Sequence, residues 1–280
     1  MKQKRIGYVD YSLDNFHSEV YLKHFREELK KRGFEVAGAW ALEEKPSRIW
    51  AKANDVPYYD TPQALNEAVD FFMVLAPGNT ETHLKLCQSI FPFKKTTYVD
   101  KTFAPDLKTA KRIFALADKH KVKMQTTSAL RYTNVQTFVC EAGRSNVRHM
   151  VTWGGGRSFG EYAIHPVELI VSCMGAKATR LMRRGTGKES QLLIDFSGNR
   201  TAVANVYIKA KTDFAATVTT KSETRHIEVD SSELFLDTAS ALLDLFESGK
   251  PNIPRAESLM VRRILDVAEN PKALKGFIKL

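Results

Sequence analysis

The sequence predicts an α/β protein, with an N-terminal Rossmann-like, doubly wound parallel sheet followed by a C-terminal α+β domain built on a mainly antiparallel sheet. Three observations carry this expectation. Short apolar segments alternate with amphipathic helical segments over roughly the first 125 residues. The run from Val69 to Pro77 shows no polar alternation, as a strand buried on both faces requires. After Tyr132 the chain turns to segments rich in β-branched residues.

Arg5 to Val9 reads as the first strand, and Glu19 to Arg32 as a helix with Tyr21, Leu22, Phe25 and Leu29 on one face, ended by Gly33. Phe34 to Ala41 is the second strand, Ser47 to Asn54 a helix, and Val56 to Tyr59 a short strand. Thr61-Pro62 opens a helix ending near Ala68. The Val69 to Pro77 strand breaks at Pro77-Gly78-Asn79, after which Thr80 or Thr82 caps a helix carrying Leu84, Leu86, Cys87 and Ile90. Thr97 to Val99 then delivers Asp100 and Lys101 at a strand end. Asp106 caps a helix to His120, and Val122 to Thr126 completes the sheet. The boundary follows, giving domains 1–127 and 128–280.

Beyond it come a helix near Asn134 to Ala142 and strands at Arg148 to Trp153, Ser190 to Phe196, Thr201 to Lys209, Ala215 to Thr220 and Arg225 to Val229. Residues 197–200 form a hairpin turn between two of them. Gly154 to Gly156, with Ser158-Phe159-Gly160, read as an exposed loop before a helix from Glu161 to Gly175. Leu234 to Gly249 and Glu257 to Glu269 return to helix, as packing material across both domains.

At 280 residues, 43% hydrophobic and 26% charged, the chain can bury a sizeable core. No apolar run approaches the ~20 residues of a membrane span, and the start holds no signal-peptide core, so a cytoplasmic protein is expected. The net charge of +10 is spread along helices among acids, as in Lys23 to Lys31 and Lys108 to Lys123. With no zinc-finger or RNA-binding signature beside it, this excludes nucleic acid as the expected partner. Cys87, Cys140 and Cys173 are widely spaced among apolar neighbours and read as buried free thiols, with neither a disulfide framework nor a metal site. An open face on the second sheet suggests a homo-oligomer, a dimer or tetramer.

Strand ends place Pro77, Asn79, His83 and Lys101 on the edge where open α/β sheets bind ligands. The turn after the first strand, Val9 to His17, holds no glycine, and Asp10 is unfavourable beside a phosphate. The helix amino terminus there remains an anion site, with Ser12, Asn15, His17 and Ser18 along it. After the second strand, Glu43 and Glu44 suit an unphosphorylated ribose, whereas Lys45 or Arg48 suits a 2′-phosphate; solvated loop charges are the other reading. Glu161 and His165 are four residues apart and share a face of a helical turn. A carboxylate there orients an imidazole for general-base work, or the two form a surface pair without a task.

In chain order, Pro77 with Asn79 and His83, then Val99-Asp100-Lys101-Thr102, Arg131-Tyr132, Glu161-x-x-x-His165 running on to Gly175, and Gly249 to Pro254 together resemble the Gfo/Idh/MocA family of glucose-fructose oxidoreductase and inositol dehydrogenase. The resemblance implies NAD or NADP as cofactor, the two not being distinguished, and hydride exchange with a sugar or cyclitol-like hydroxyl or ketone. It implies that Lys101 binds and polarises the reacting hydroxyl, that His165 moves its proton and that Glu161 positions the imidazole in a cleft between domains. Ser12, Asn15, His17, Pro77, Asn79, His83 and Lys101 are then the cofactor-binding candidates. The departures are the glycine-free turn, Asp100 for Glu, Thr102 for Pro and Glu161 for Asp. They leave a second expectation, a member without catalysis that serves as a ligand-binding or regulatory subunit.

Overall fold

Five short parallel strands, β1 (Lys4–Asp10), β2 (Phe34–Ala41), β3 (Phe71–Val74), β4 (Thr97–Val99) and β5 (Met124–Thr126), make the first sheet in the order β2-β1-β3-β4-β5. In this computed structural model, which describes residues 3–280, the strands are joined by α1 (Phe16–Arg26), α2 (Glu44–Ala53), α3 (Pro62–Ala68), α4 (His83–Ile90) and α5 (Leu107–His120). Parallel pairing forces each connection to cross over the sheet, which is why strand and helix signals alternate in the sequence. The strand order reverses between β1 and β3. Their carboxyl ends, at Asp10 and Val74, therefore flank the crevice where such sheets take ligands.

The chain divides into two compact units, residues 1–127 with 235–254 and residues 128–234 with 255–280. Sequence reading places everything after residue 127 in the second domain. Residues 235–254 instead complete the first, because they carry the apolar face that covers β1 and β2. Ala239, Leu242, Leu243, Leu245 and Phe246 join Tyr8, Phe34, Trp50 and Met73 in one buried cluster. Phe246 stacks on Phe71 at a centroid distance of 4.8 Å. Arg32 adds ion pairs to Asp244 and Glu247 at 2.7 and 2.6 Å.

The second unit holds α6 (Asn134–Ala142), β6 (His149–Gly156), α7 (Phe159–Tyr162), α8 (Ile164–Met174), β7 (Ala178–Arg184), β8 (Glu189–Phe196), β9 (Arg200–Ile208), β10 (Ala215–Thr219) and β11 (Thr224–Glu228). Helix α9 (Leu234–Ser248) leads back to the first unit, and α10 (Arg255–Glu269) with β12 (Ile278–Lys279) ends the second. The sheet order is β11-β10-β6-β9-β8-β7-β12, antiparallel throughout except for the parallel β6/β9 pair. It is thus mixed but mostly antiparallel.

Four local expectations change. The Gly154 to Gly156 stretch is the end of β6 and not a loop; a Cβ on Gly156 would lie 2.0 Å from the Tyr162 ring, so glycine is what lets α7 sit against the strand. The helix expected from Glu161 to Gly175 is broken at Ala163, since Pro166 has no N–H to offer the carbonyl of Tyr162. Residues 178–184 are a strand that the sequence does not announce, because Thr179, Arg180 and Arg184 are exposed and mask the alternation. Cys87 and Cys173 are buried as expected, but Cys140 is exposed on α6. Among the described residues no helix is long and apolar enough to cross a membrane.

Candidate functional site

The turn after β1 is organised by Asn15. Its Oδ1 accepts from the amides of His17 and Ser18 at 3.0 and 3.1 Å, capping α1 and satisfying two of the donors a helix start leaves open. Its Nδ2 donates at 3.0 Å to Oδ2 of Asp10, the last residue of β1. Asp10 also accepts from Ser18 Oγ (3.3 Å), Ser12 N (3.3 Å) and, across the crevice, Ala76 N (2.9 Å). Burial dominates over these hydrogen bonds and pushes the carboxyl up to about 7. Of the residues named for this turn, Asn15 therefore works as a cap, and Ser12 supplies a backbone donor to Asp10.

His17 does not line that turn. It reaches to the end of β4, where its Nδ1 lies 2.6 Å from Asp100 Oδ2, and the side chains are only 11% and 1% exposed. Tyr98 Oη donates to the other oxygen of Asp100 at 2.8 Å. Burial raises the Asp100 carboxyl, but the charge and hydrogen bond of His17, helped by Lys101, outweigh it and leave the group below its ordinary value. The rings of Phe16, Tyr21 and Phe235 pack around His17. This pair escaped sequence reading; the available signal was an acid, Asp100, at a strand end with a histidine in the turn two strands away.

Lys101 follows Asp100 on the carboxyl edge. Its Nζ donates to the carbonyl of Pro77 at 3.4 Å, so the structure brings together the lysine and the Pro77 segment. The Lys101-Thr102 peptide is cis. His83 is placed differently from a ligand-contacting residue. It is fully buried, with Nδ1 3.0 Å from the Phe103 carbonyl and Nε2 2.9 and 3.2 Å from those of Leu75 and Ala76. It ties the loop after β3 to the loop after β4. Asn79 turns its side chain to Glu81 at 3.4 Å. After β2, Tyr11 donates to Glu43 (3.1 Å), while Arg48 pairs with Glu44 (2.7 Å) and Asp60 and covers the Tyr58 ring.

In the second unit His165 occupies the first turn of α8, where Pro166 is tolerated because no helical N–H is needed. Its Nδ1 lies 2.8 Å from Ser128 Oγ, and the Tyr162 and Phe214 rings pack at 5.7 and 5.3 Å. Where Nδ1 carries the ring proton and donates it to Ser128 Oγ, Nε2 keeps its lone pair free to accept a proton. Glu161 lies in α7, exposed, with its carboxylate accepting from Ser158 Oγ at 3.1 Å. Ser128 is therefore a partner that orients the imidazole, and the sequence gives no spacing rule to find it. Arg131 runs to buried Glu168 and Glu257, and Arg144 also reaches Glu257 at 2.6 Å, fixing α8 and α10 to the residues after the boundary. Burial pushes Glu168 up in spite of Arg131.

Residues 11–128 match the model of an oxidoreductase family with an NAD-binding Rossmann fold, Gfo/Idh/MocA. No curated protein matches the chain by sequence. Among solved structures, the myo-inositol 2-dehydrogenase of Lactobacillus plantarum superposes with a TM-score of 0.81 at 12% identity, covering 100% of both chains. The UDP-N-acetylglucosamine 3-dehydrogenase of Acidithiobacillus ferrooxidans gives 0.77 at 12%, covering 96% of each. GenD2 of gentamicin A biosynthesis, solved in complex with NAD, gives 0.81 at 13%, covering 100% of this chain and 97% of its own. At these identities the likeness is one of fold, and it extends over both units.

Proposed function

From the premise that residues 11–128 carry the Gfo/Idh/MocA oxidoreductase match, we propose that this chain exchanges a hydride between a nicotinamide cofactor, NAD or NADP, and a hydroxyl or ketone of a sugar or cyclitol. The single observation that carries the reading is Lys101, an amine held on the carboxyl edge of the parallel sheet beside the Pro77 carbonyl, its backbone N–H donating to the buried Asp100 carboxylate. The donor set on α1 fits an anionic cofactor: two adjacent amides converge on one oxygen position, now taken by Asn15 Oδ1, and a phosphate oxygen is an acceptor of the same kind. The fit has one condition, that the neighbouring Asp10 carboxyl be neutral.

The cofactor, when bound, supplies the hydride chemistry. Lys101 donates hydrogen bonds to the substrate oxygen and stabilises negative charge growing on it. His165 takes the hydroxyl proton in oxidation and returns it in reduction, its ring fixed by Ser128. Glu161, exposed on α7 with its carboxylate bonded to Ser158, is left as a polar contact for substrate.

The reading is tested by fluorescence titration with NADH and NADPH, and by turnover of a panel of cyclitols and hexoses. Saturable binding below about 1 mM is expected. Replacing Lys101 with Met or His165 with Ala should lower turnover by about 10²- to 10⁴-fold, with dinucleotide affinity largely kept. Full turnover in both variants would refute the roles. A second reading, a ligand-binding member that uses no dinucleotide, is favoured by one observation: the amides are already capped by the chain's own Asn15. It predicts no saturable binding of either cofactor.

A further inference from the structure

The Asp10 carboxyl sits where the strand order reverses, only 1% exposed, and all of its hydrogen bonds come from three separate segments. Ser12 N and Asn15 Nδ2 belong to the turn, Ser18 Oγ to α1, and Ala76 N to the chain leaving β3. Asn15 joins this group to the helix start, since one end of its carboxamide holds Asp10 and the other holds the His17 and Ser18 amides. An anion that takes those amides must displace Asn15 Oδ1, and in doing so it removes the Nδ2 donor from Asp10. It then shares a desolvated seat with a carboxylate that has just lost a hydrogen bond. Two negative charges so placed repel strongly, whereas a proton on the carboxyl removes the repulsion and makes Asp10 a donor.

We infer that the chain takes up an anionic dinucleotide at this turn together with one proton, bound by Asp10; the inference rests on reading residues 11–128 as a nicotinamide-dinucleotide domain. The step balances simply: solvent supplies the proton, it bonds to an Asp10 oxygen, and no group is oxidised or reduced. The neutral form is within reach near neutrality, because burial has already brought this carboxyl up to about 7 in the free chain. The titratable group that faces it is Tyr8 on β1, whose phenol burial pushes far up; the other candidates on neighbouring elements are His17 on α1 and Asp100 and Lys101 beyond β4. Of these His17 is engaged by Asp100, and Lys101 by the Pro77 carbonyl.

The sign follows from linkage. At pH below the free-chain value the proton is already in place and affinity is flat. Above it, each binding event draws a proton from solvent, so Kd rises by about tenfold per pH unit until the value in the complex is reached. The test is an NADH fluorescence titration from about pH 6 to about pH 9. It is joined by calorimetry at about pH 8 in two buffers of different ionisation heat, which counts the protons absorbed. Asp10→Asn serves as the neutral isostere.

The expected result is a rising Kd in the wild-type chain, about one proton taken up, and a flat profile with tighter binding above neutrality in Asp10→Asn. Saturable wild-type binding that is flat in pH, with no proton absorbed, overturns the linkage and leaves the dinucleotide reading standing. Absence of saturable binding in the wild-type chain at about pH 6, and in Asp10→Asn throughout, overturns the dinucleotide reading and the linkage with it. The proton count is made on the unaltered chain, so it decides the matter even if the variant folds poorly.

Discussion

Asp10 and Asp100 are both buried carboxyls at strand ends, yet their neighbours drive them in opposite directions. Asp100 is offered a histidine and a nearby lysine, so its charge is stabilised against burial; Asp10 is offered only neutral donors, so burial wins. The signs for stability differ accordingly. Asp10, with its value raised in the folded chain to about 7, lends stability that is full below the unfolded carboxylate range. That stability is lost as pH rises from about 4 toward neutrality. Asp100, with its value lowered, contributes above the unfolded range, and its contribution is lost as pH falls through the folded value. Denaturant unfolding of Asp10→Asn beside the wild-type chain should therefore show the variant gaining relative stability between about pH 4 and pH 7, by a few kcal/mol. A difference independent of pH would contradict the assignment. At this scale the sequence showed that Asp10 was an anomaly in a phosphate-binding turn. It could not show the partner Ala76, whose amide is 66 residues away.

At the scale of elements, most of the chain was legible because local rules act locally. Asp106 was recognisable as a cap before an apolar helical face, and its Oδ1 does accept from Thr109 N at 2.7 Å. Asp106→Ala should cost about 1 kcal/mol in urea unfolding, and no measurable loss would show that the cap is dispensable. Thr61 with Pro62 likewise opened α3 where the sequence placed it. The failures are elements whose boundaries are set by packing. The N-terminal start of α1 at Phe16 follows from Asn15, but its end at Arg26 is earlier than the apolar spacing implies. The strand character of Gly154 to Gly156 depends on Tyr162, Phe214, Pro166 and the Tyr207 carbonyl approaching where side chains would otherwise stand. The short Val56 to Tyr59 segment makes only a bridge, between Ala39 and Tyr58, on the edge of β2 that β1 leaves open.

At the scale of the whole molecule, the first unit is discontinuous in sequence, and this changes what can fold alone. Residues 1–127 leave Phe34, Phe71 and Tyr8 without the α9 face that covers them. A fragment ending at residue 127 should unfold without a cooperative transition, while the same fragment joined by a short linker to residues 235–254 should regain one. Equal cooperativity in both would show that α9 is a passenger. The sequence by itself determined the fold class, the alternation of the parallel sheet and the position of Lys101 at a strand end, because periodicity, turn chemistry and caps are properties of neighbours in the chain. Only the tertiary structure decided that His17 belongs to Asp100, that Ser128 holds His165, that Asp10 closes the β1/β3 crevice and that α9 completes the first unit. Each of these is a contact between segments far apart in sequence. Burial gives such contacts their energy, and a linear pattern carries no record of which distant groups it will bury together.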